Sequence, residues 1–151
     1  MEIREFRTED AIEASSIIKE CFQKLDIGGH TAAGIQREID HNSSENLTMG
    51  AEQIRYFVAV DNNKVIGICG YDQQKVRTLF VNIKYHKLGI GKKLLNTVLS
   101  EAKKEGLTSL ITWSTMFAEG FYSLAGFQKI KNIVIPPDNA DIVLIEMVKQ
   151  L

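Results

Sequence analysis

Between Val76 and Ala102 the chain switches from strand-like to helical periodicity across a pair of closely spaced glycines. Val76-Arg77-Thr78-Leu79-Phe80-Val81-Asn82 is rich in β-branched and aromatic residues and reads as a strand. After Gly89-Ile90-Gly91, the residues Leu94, Leu95, Val98, Leu99 and Ala102 share one helical face, and Gly106 ends the helix behind Lys103-Lys104. A strand running through glycines into a helix constrains the fold to packed α and β layers. It also brings backbone N–H groups and the positive end of a helix to one point. Such a junction suits a phosphate or diphosphate.

The charge pattern points the same way. Gln73 to Ser100 contains no Asp or Glu but carries Lys75, Arg77, Lys84, Lys87, Lys92 and Lys93, together with His86. Met1 to Asp72 holds 13 acids and 7 bases, and Glu101 to Leu151 holds 6 acids and 5 bases. A near-neutral chain, of net charge −1, that gathers cations around a glycine turn suits a discrete anion. A nucleic-acid binder is more often basic overall and interleaves aromatics with its cations, so no nucleic-acid partner is expected.

At 151 residues the chain has the size of one domain with one core, spanning residues 1–151. Apolar residues make up 44% and charged residues 25%, as in soluble globular proteins. No apolar run approaches the roughly 20 residues that cross a bilayer. The charged N-terminus lacks the features of a signal peptide. The expectation is a cytoplasmic protein with no membrane partner. Cys21 and Cys69 fall on buried faces and read as free core thiols. His30 and His41 have no Cys or carboxylate at ligand spacing, so they read as surface or loop residues and no metal is expected.

Along the chain, Glu2–Phe6 reads as a strand and Thr8 as the cap of a helix buried through Ala11, Ala14, Ile18, Cys21, Phe22 and Leu25. Gly28-Gly29 ends that helix. A second helix is predicted from Thr31 to about His41, followed by a polar loop from His41 to Gly50. Ile54–Val60 and Lys64–Tyr71 form a hairpin around Asp61-Asn62-Asn63. Later come a strand at Ser109–Ser114, a short helix at Ala118–Leu124, and strands at Ile130–Ile135 and Ile142–Met147 around the Pro136-Pro137 turn. There is no internal repeat or linker. The pattern predicts a single α/β (α+β) domain on a mostly antiparallel sheet.

Two familiar phosphate turns are excluded by spacing. A P-loop needs four residues between its glycines and Ser or Thr after the Lys, whereas here one residue separates Gly89 from Gly91 and Lys93 follows Lys92. A dinucleotide turn needs a further glycine where Leu94 stands. His86-Lys87-Leu88-Gly89-Ile90-Gly91 instead resembles the acetyl-CoA signature of the GNAT superfamily of N-acetyltransferases, Gln/Arg-x-x-Gly-x-Gly/Ala, with His86 at the first position. Leu79-Phe80-Val81 resembles the run on the family's fourth strand. Phe121-Tyr122-Ser123-Leu124-Ala125-Gly126-Phe127 resembles the later Phe-Tyr-x-x-x-Gly-Phe element, with Ala118 four residues before the tyrosine. Thr115 stands where Asn is frequent.

This resemblance implies a GNAT-like acyl-CoA N-acyltransferase fold, a mixed and mostly antiparallel sheet of about seven strands flanked by about four helices. It implies acetyl-CoA as cosubstrate, held by Leu79, Phe80, Val81, His86, Lys87, Leu88, Gly89, Ile90, Gly91 and Lys92. A bulge would splay the fourth strand from its neighbour and free N–H groups to polarise a thioester carbonyl. Tyr122 would be the general acid, protonated at neutral pH because a phenol has a pKa near 10, above about 8.5 for a thiol. No carboxylate lies on the fourth strand, so Asp72, Glu119 or a water chain is left as general base. Trp113 reads as core on a strand that borders the acceptor cleft in this fold.

The resulting expectation is transfer of an acetyl group from acetyl-CoA to a primary amine of a small molecule or peptide, by direct attack in a ternary complex. The alternative is a non-catalytic acyl-CoA-binding sensor or regulatory module on the same fold. A nucleotide-phosphate binder outside the family is a third reading. The acidic excess before Asp72 points to a cationic acceptor. Homodimers are common in the family, and no residue here requires one.

Overall fold

The computed structural model describes residues 1–136 and 139–151. The chain runs β1 (Glu2–Glu5), a 3-10 turn (Thr8–Asp10), α1 (Ala11–Lys24), α2 (Ala32–His41), α3 (Ser44–Gly50), β2 (Arg55–Asp61), β3 (Lys64–Tyr71) and β4 (Lys75–Val81). A 3-10 turn (Ile83–Tyr85) leads to α4 (Ile90–Lys104), β5 (Ser109–Ser114), α5 (Glu119–Leu124), β6 (Gln128–Ile135) and β7 (Ile142–Gln150). The strands make one sheet in the order β1-β2-β3-β4-β5-β7-β6, antiparallel throughout except for the parallel pair β4–β5. This is the expected mixed α/β architecture, with five helices. Among the described residues no helix is long and apolar enough to cross a membrane.

The sheet is sandwiched between two apolar clusters. On one face Leu94, Leu95, Val98 and Ala102 of α4 pack with Cys69, Leu110, Tyr122 and Phe127. On the other, Ala14, Ile18, Cys21 and Phe22 of α1 pack with Val58, Ile68 and Leu47. β3 lies between both layers and is buried from Val65 to Tyr71, which explains its nearly unbroken apolar sequence. Both cysteines are free and buried.

The turns follow local chemistry. Asn62 and Asn63 both take positive φ, 50° and 62°, in a two-residue loop whose twist matches the hairpin. Gly106, at φ 91°, closes α4: its N–H donates to Lys103, and that of Leu107 to Ala102.

Several boundaries differ from the sequence expectation, among them β7, which runs on to Gln150 rather than ending at Met147. His41–Gly50 is not all loop, because Ser43 Oγ accepts the Asn46 N–H at 3.2 Å and caps α3, whose Leu47 is buried. Thr8 does not cap α1; the Asp10 carboxylate accepts the Arg7 N–H at 2.7 Å instead. Leu25 lies just beyond α1, and β6 begins at Gln128, two residues before Ile130. Of the expected Pro136-Pro137 turn, Pro137 lies outside the described residues.

Asp10 also receives Arg4 in a two-pronged bond, 2.8 and 3.0 Å, tying β1 to the start of α1. Burial alone would raise its pKa, but the Arg4 and Arg7 hydrogen bonds outweigh it and the group ends below the ordinary carboxylate value. Its stabilisation is therefore complete above the unfolded-state pKa and is lost as pH falls through the depressed folded value. Asp10→Asn is expected to cost about 2–3 kcal/mol at pH 7 and less in acid, read by urea denaturation at both pH values.

Candidate functional site

The site begins where the sheet opens. β4 and β5 pair only at Lys75–Ile111 and Val76–Thr112. Opposite Gly70 and Tyr71 of β3, β4 carries one extra residue, Arg77, since Thr78 pairs with Gly70 and Val76 with Tyr71. That bulge turns β4 away from β5. Asn82 N–H bonds to Ile66, which sets the alternation: Thr78 and Phe80 spend their backbone groups on β3. Leu79 and Val81 present theirs to the splay.

β4 then enters the glycine turn. Lys87 and Gly89 take positive φ, 65° and 83°, and Gly89 forms the N-cap of α4. Among the described residues nothing accepts a hydrogen bond from the backbone N–H groups of Lys87, Leu88, Gly89, Ile90, Gly91 or Lys92. Unpaired donors at the positive end of a helix define an anion seat. The His86 ring braces it, with Nε2 2.8 Å from the Val81 carbonyl oxygen. A Cβ on Gly91 would just touch the Phe121 ring at 3.5 Å, so the turn lies close on α5.

Splay and turn open into one cleft of about 1470 Å³. Leu79, Phe80, Val81, His86, Lys87, Gly89, Ile90, Gly91, Lys92 and Tyr122, all singled out in the sequence, line it. Leu88 does not; its side chain is exposed, leaving only its backbone N–H to contribute. Tyr122 is buried with its ring 5.4 Å from Phe121 and 5.3 Å from Phe127, both edge-on. Burial above all, and then Cys69, raises its pKa, while Thr112 opposes the shift.

Neither carboxylate weighed as a base is placed for that role. Asp72 accepts the N–H groups of Gln74 and Lys75 at 2.8 and 2.9 Å and pairs with Arg77. Despite burial, those bonds lower its pKa, so it organises the β3–β4 turn. Neither Asp72 nor Glu119 lines the cleft. The cleft instead contains a carboxylate that sequence reasoning passed over, Glu38 on α2. Its neighbours Arg37, Asp40 and His41 make that stretch read as an ordinary solvated helix face.

Two further residues, Trp113 and His30, depart from expectation, while His41 is on the surface as expected. Trp113 is not core: it lines the cleft, with Lys75 Nζ 3.1 Å from the ring centroid and Glu146 accepting its indole N–H at 3.0 Å. His41 ends α2 on the cleft wall. The ring nitrogens of His30 are buried rather than exposed, and no described residue bonds to them. Cys21 also borders the cleft, but burial, aided by Glu20, pushes its thiol up to about 11. A thiol so weakly acidic offers little thiolate for nucleophilic chemistry.

The turn geometry makes a direct prediction. Gly89→Val places a β-branched residue at left-handed φ, where the surrounding space is open and the cost is purely conformational. A loss of about 1–3 kcal/mol is expected in thermal melts, against no loss for Gly120→Ala, which also faces open space without positive φ.

Comparison with known proteins gives the same picture. The family model for the acetyltransferase (GNAT) domain matches residues 26–151. No curated protein matches the sequence. A GCN5-related N-acetyltransferase structure from Rhodopseudomonas palustris superposes with TM-score 0.89 at 14% identity, covering 99% of this chain and 95% of that one. The PaiA N-acetyltransferase from Thermoplasma acidophilum, solved with coenzyme A, gives 0.80 at 20% identity, with 99% and 98% covered. The aminoglycoside 6'-N-acetyltransferase from Enterococcus faecium gives 0.72 at 16% identity, with 99% and 97% covered. The splayed β4, the glycine turn opening α4 and the match over residues 26–151 together place this chain in the GNAT acetyltransferase family.

Proposed function

We propose that the chain is an acetyl-CoA-dependent N-acetyltransferase, acting on a primary amine by direct attack in a ternary complex. The observation that carries this reading is the row of unpaired amides from Lys87 to Lys92, opening into the same cleft as the free edge of β4 and Tyr122. The donor set fits a diphosphate: amides at a helix start, a glycine turn, and the cations Lys87 and Lys92 at its rim. The thioester supplies an activated acetyl group.

The residues of the chain do the rest. Lys87 to Lys92 hold the diphosphate. Leu79 and Val81 line the pantetheine arm as an added strand would, and the Leu79 N–H is available to the carbonyl oxygen under attack. Such a donor contributes about 3–4 kcal/mol where charge develops on oxygen. Tyr122 donates its O–H toward the departing sulfur. The weakly acidic Cys21 argues for direct transfer over an acyl-cysteine route.

The test joins calorimetry with acetyl-CoA to a thiol-release screen over primary amines. Binding with amine-dependent release of free thiol is the expected result. Binding without release from any amine would favour an acyl-CoA sensor, and stronger binding of ATP than of CoA would remove the reading altogether.

A further inference from the structure

Glu38 is the only carboxylate among the described residues that line the cleft. No described residue pairs with it or bonds to its carboxylate oxygens, although Asn42 Nδ2 donates to its backbone carbonyl at 2.8 Å and fixes the helix there. The other charged groups of that wall are engaged: Arg37 pairs with Asp141, Arg77 with Asp72, and Lys75 sits on the Trp113 ring. Phe22, Leu25, Ile27, Leu47 and Ile54 contribute apolar surface to the same cleft. An unpaired carboxylate in such a place is costly, and the partner that relieves it is a cation from outside the chain.

We propose that Glu38 binds the ammonium of the acceptor and takes its proton, and that the acceptor is a singly charged amine with an apolar body. The proposal rests on the acetyltransferase reading above. The proton passes from R–NH3⁺ to the Glu38 carboxylate, leaving the neutral amine. Its lone pair forms the new C–N bond as the C–S bond breaks and the electron pair leaves with sulfur. The amide nitrogen sheds its second proton to solvent, the sulfur takes up one proton, and Glu38 returns its own to solvent, so that one proton is released overall.

Charge count sets the acceptor class. Arg37, His41, Lys75 and Arg77 share the cleft with Glu38, and His86, Lys87 and Lys92 occupy the turn. Among the described residues no other carboxylate lines the cleft, and the acids beside Arg37 and Arg77 are already paired, so a second ammonium on the acceptor finds no partner and is disfavoured. In this respect the cleft does not suit an aminoglycoside, despite the fold shared with aminoglycoside 6'-N-acetyltransferases.

Burial raises the Glu38 pKa, and His41 opposes the shift. The titratable and charged groups that line the cleft with Glu38 are Arg37 and His41 of its own helix, Cys21 of α1, Tyr56 of β2, Lys75 and Arg77 of β4, Tyr122 of α5, and Tyr85, His86, Lys87 and Lys92 around the turn. A raised folded pKa gives stability below the unfolded value that is lost as pH rises through the folded one. Glu38→Gln is therefore expected to melt no lower than wild type at pH 7.

The experiment compares 2-phenylethylamine and hexylamine with spermidine and kanamycin as acceptors, for wild type, Glu38→Gln, Glu38→Asp and His41→Asn. The monoamines are expected to exceed the polycations in kcat/KM by at least about tenfold. Glu38→Gln should lower kcat/KM for the monoamines about 10²-fold and remove the acidic limb of the pH profile. Glu38→Asp should recover part of the rate, and His41→Asn should keep the limb. Calorimetry separates the two readings, because Glu38→Gln should bind acetyl-CoA as wild type does. Failure of wild type to bind acetyl-CoA sinks the acetyltransferase reading. Given that binding, preference for polycations, turnover of neither class, or an unchanged Glu38→Gln profile overturns the proposal for Glu38.

Discussion

Tyr122→Phe is expected to lower kcat about 10²–10⁴-fold while leaving acetyl-CoA affinity unchanged. The substitution removes one oxygen and keeps the ring, so the edge-on contacts with Phe121 and Phe127, at 5.4 and 5.3 Å, survive and the α5 corner stays packed. Any rate loss is then chemical. Burial holds the phenol above its ordinary value, so it stays protonated wherever the enzyme is folded and active. It also keeps its proton more tightly than a free thiol does, at a pKa of about 8.5. The role proposed for it is thus donation of a hydrogen bond to the sulfur as charge builds, with the last proton arriving later from solvent. Two measurements check this: thiol release at saturating acetyl-CoA, and calorimetry of acetyl-CoA binding to the variant. Unchanged kcat with intact binding would leave Tyr122 as a packing residue only.

The parts of the site that could be read from sequence are those that adjacent residues build. Strand, glycine turn and helix start are contiguous from Val76 to Leu99, so periodicity and glycine spacing are enough to place the strand, the turn and the helix start. The Asn62-Asn63 hairpin and the Gly106 helix end are local in the same sense. α3 was missed because it is seven residues long with one buried apolar side chain, Leu47, too little for a periodic signal. Its start was nevertheless marked by Ser43, with Glu45 in the first turn, a cap-and-charge pattern that could have been recognised.

The rest of the cleft could not be read locally because its lining is gathered from α1, α2, α3, β2, β4, β5, α5 and β7. Glu38 sits among Gln36, Arg37, Asp40 and His41, and only the docking of α2 turns it toward the cleft. The acidic excess before Asp72 was a poor guide for the same reason. Most of it is spent elsewhere: Asp10 binds Arg4, Glu5 binds Arg55, Asp72 binds Arg77, and Glu38 alone reaches the cleft. Net charge over a segment says nothing about which side of a helix its carboxylates occupy.

That docking is itself testable, because α2 is held by a close approach that tolerates no side chain. A Cβ on Gly34 would lie 1.9 Å from the Asp141 carbonyl oxygen and 3.1 Å from Ile142 Cγ1. The carbonyl cannot swing away cheaply, since it accepts the Thr31 N–H at 2.9 Å. Thr31 Oγ1 also donates to the Asp141 carboxylate at 2.7 Å, and Arg37 pairs with the same group. Gly34→Ala must therefore push the start of α2 off β7 and loosen all three contacts together. The overpacking costs about 1–3 kcal/mol. Each lost hydrogen bond adds about 1 kcal/mol, and the better helix propensity of alanine returns about 1 kcal/mol. A net loss of about 3–5 kcal/mol in urea denaturation is expected if all three contacts are lost. Glu38 stands one turn further along the displaced helix, so on the proposed reading KM for the amine should rise while acetyl-CoA affinity, assigned there to the turn Lys87 to Lys92, should not. A variant of wild-type stability would show that α2 is not seated on β7 by this contact, and equal losses for amine and acetyl-CoA would mean that the two ends of the cleft do not behave as separate walls.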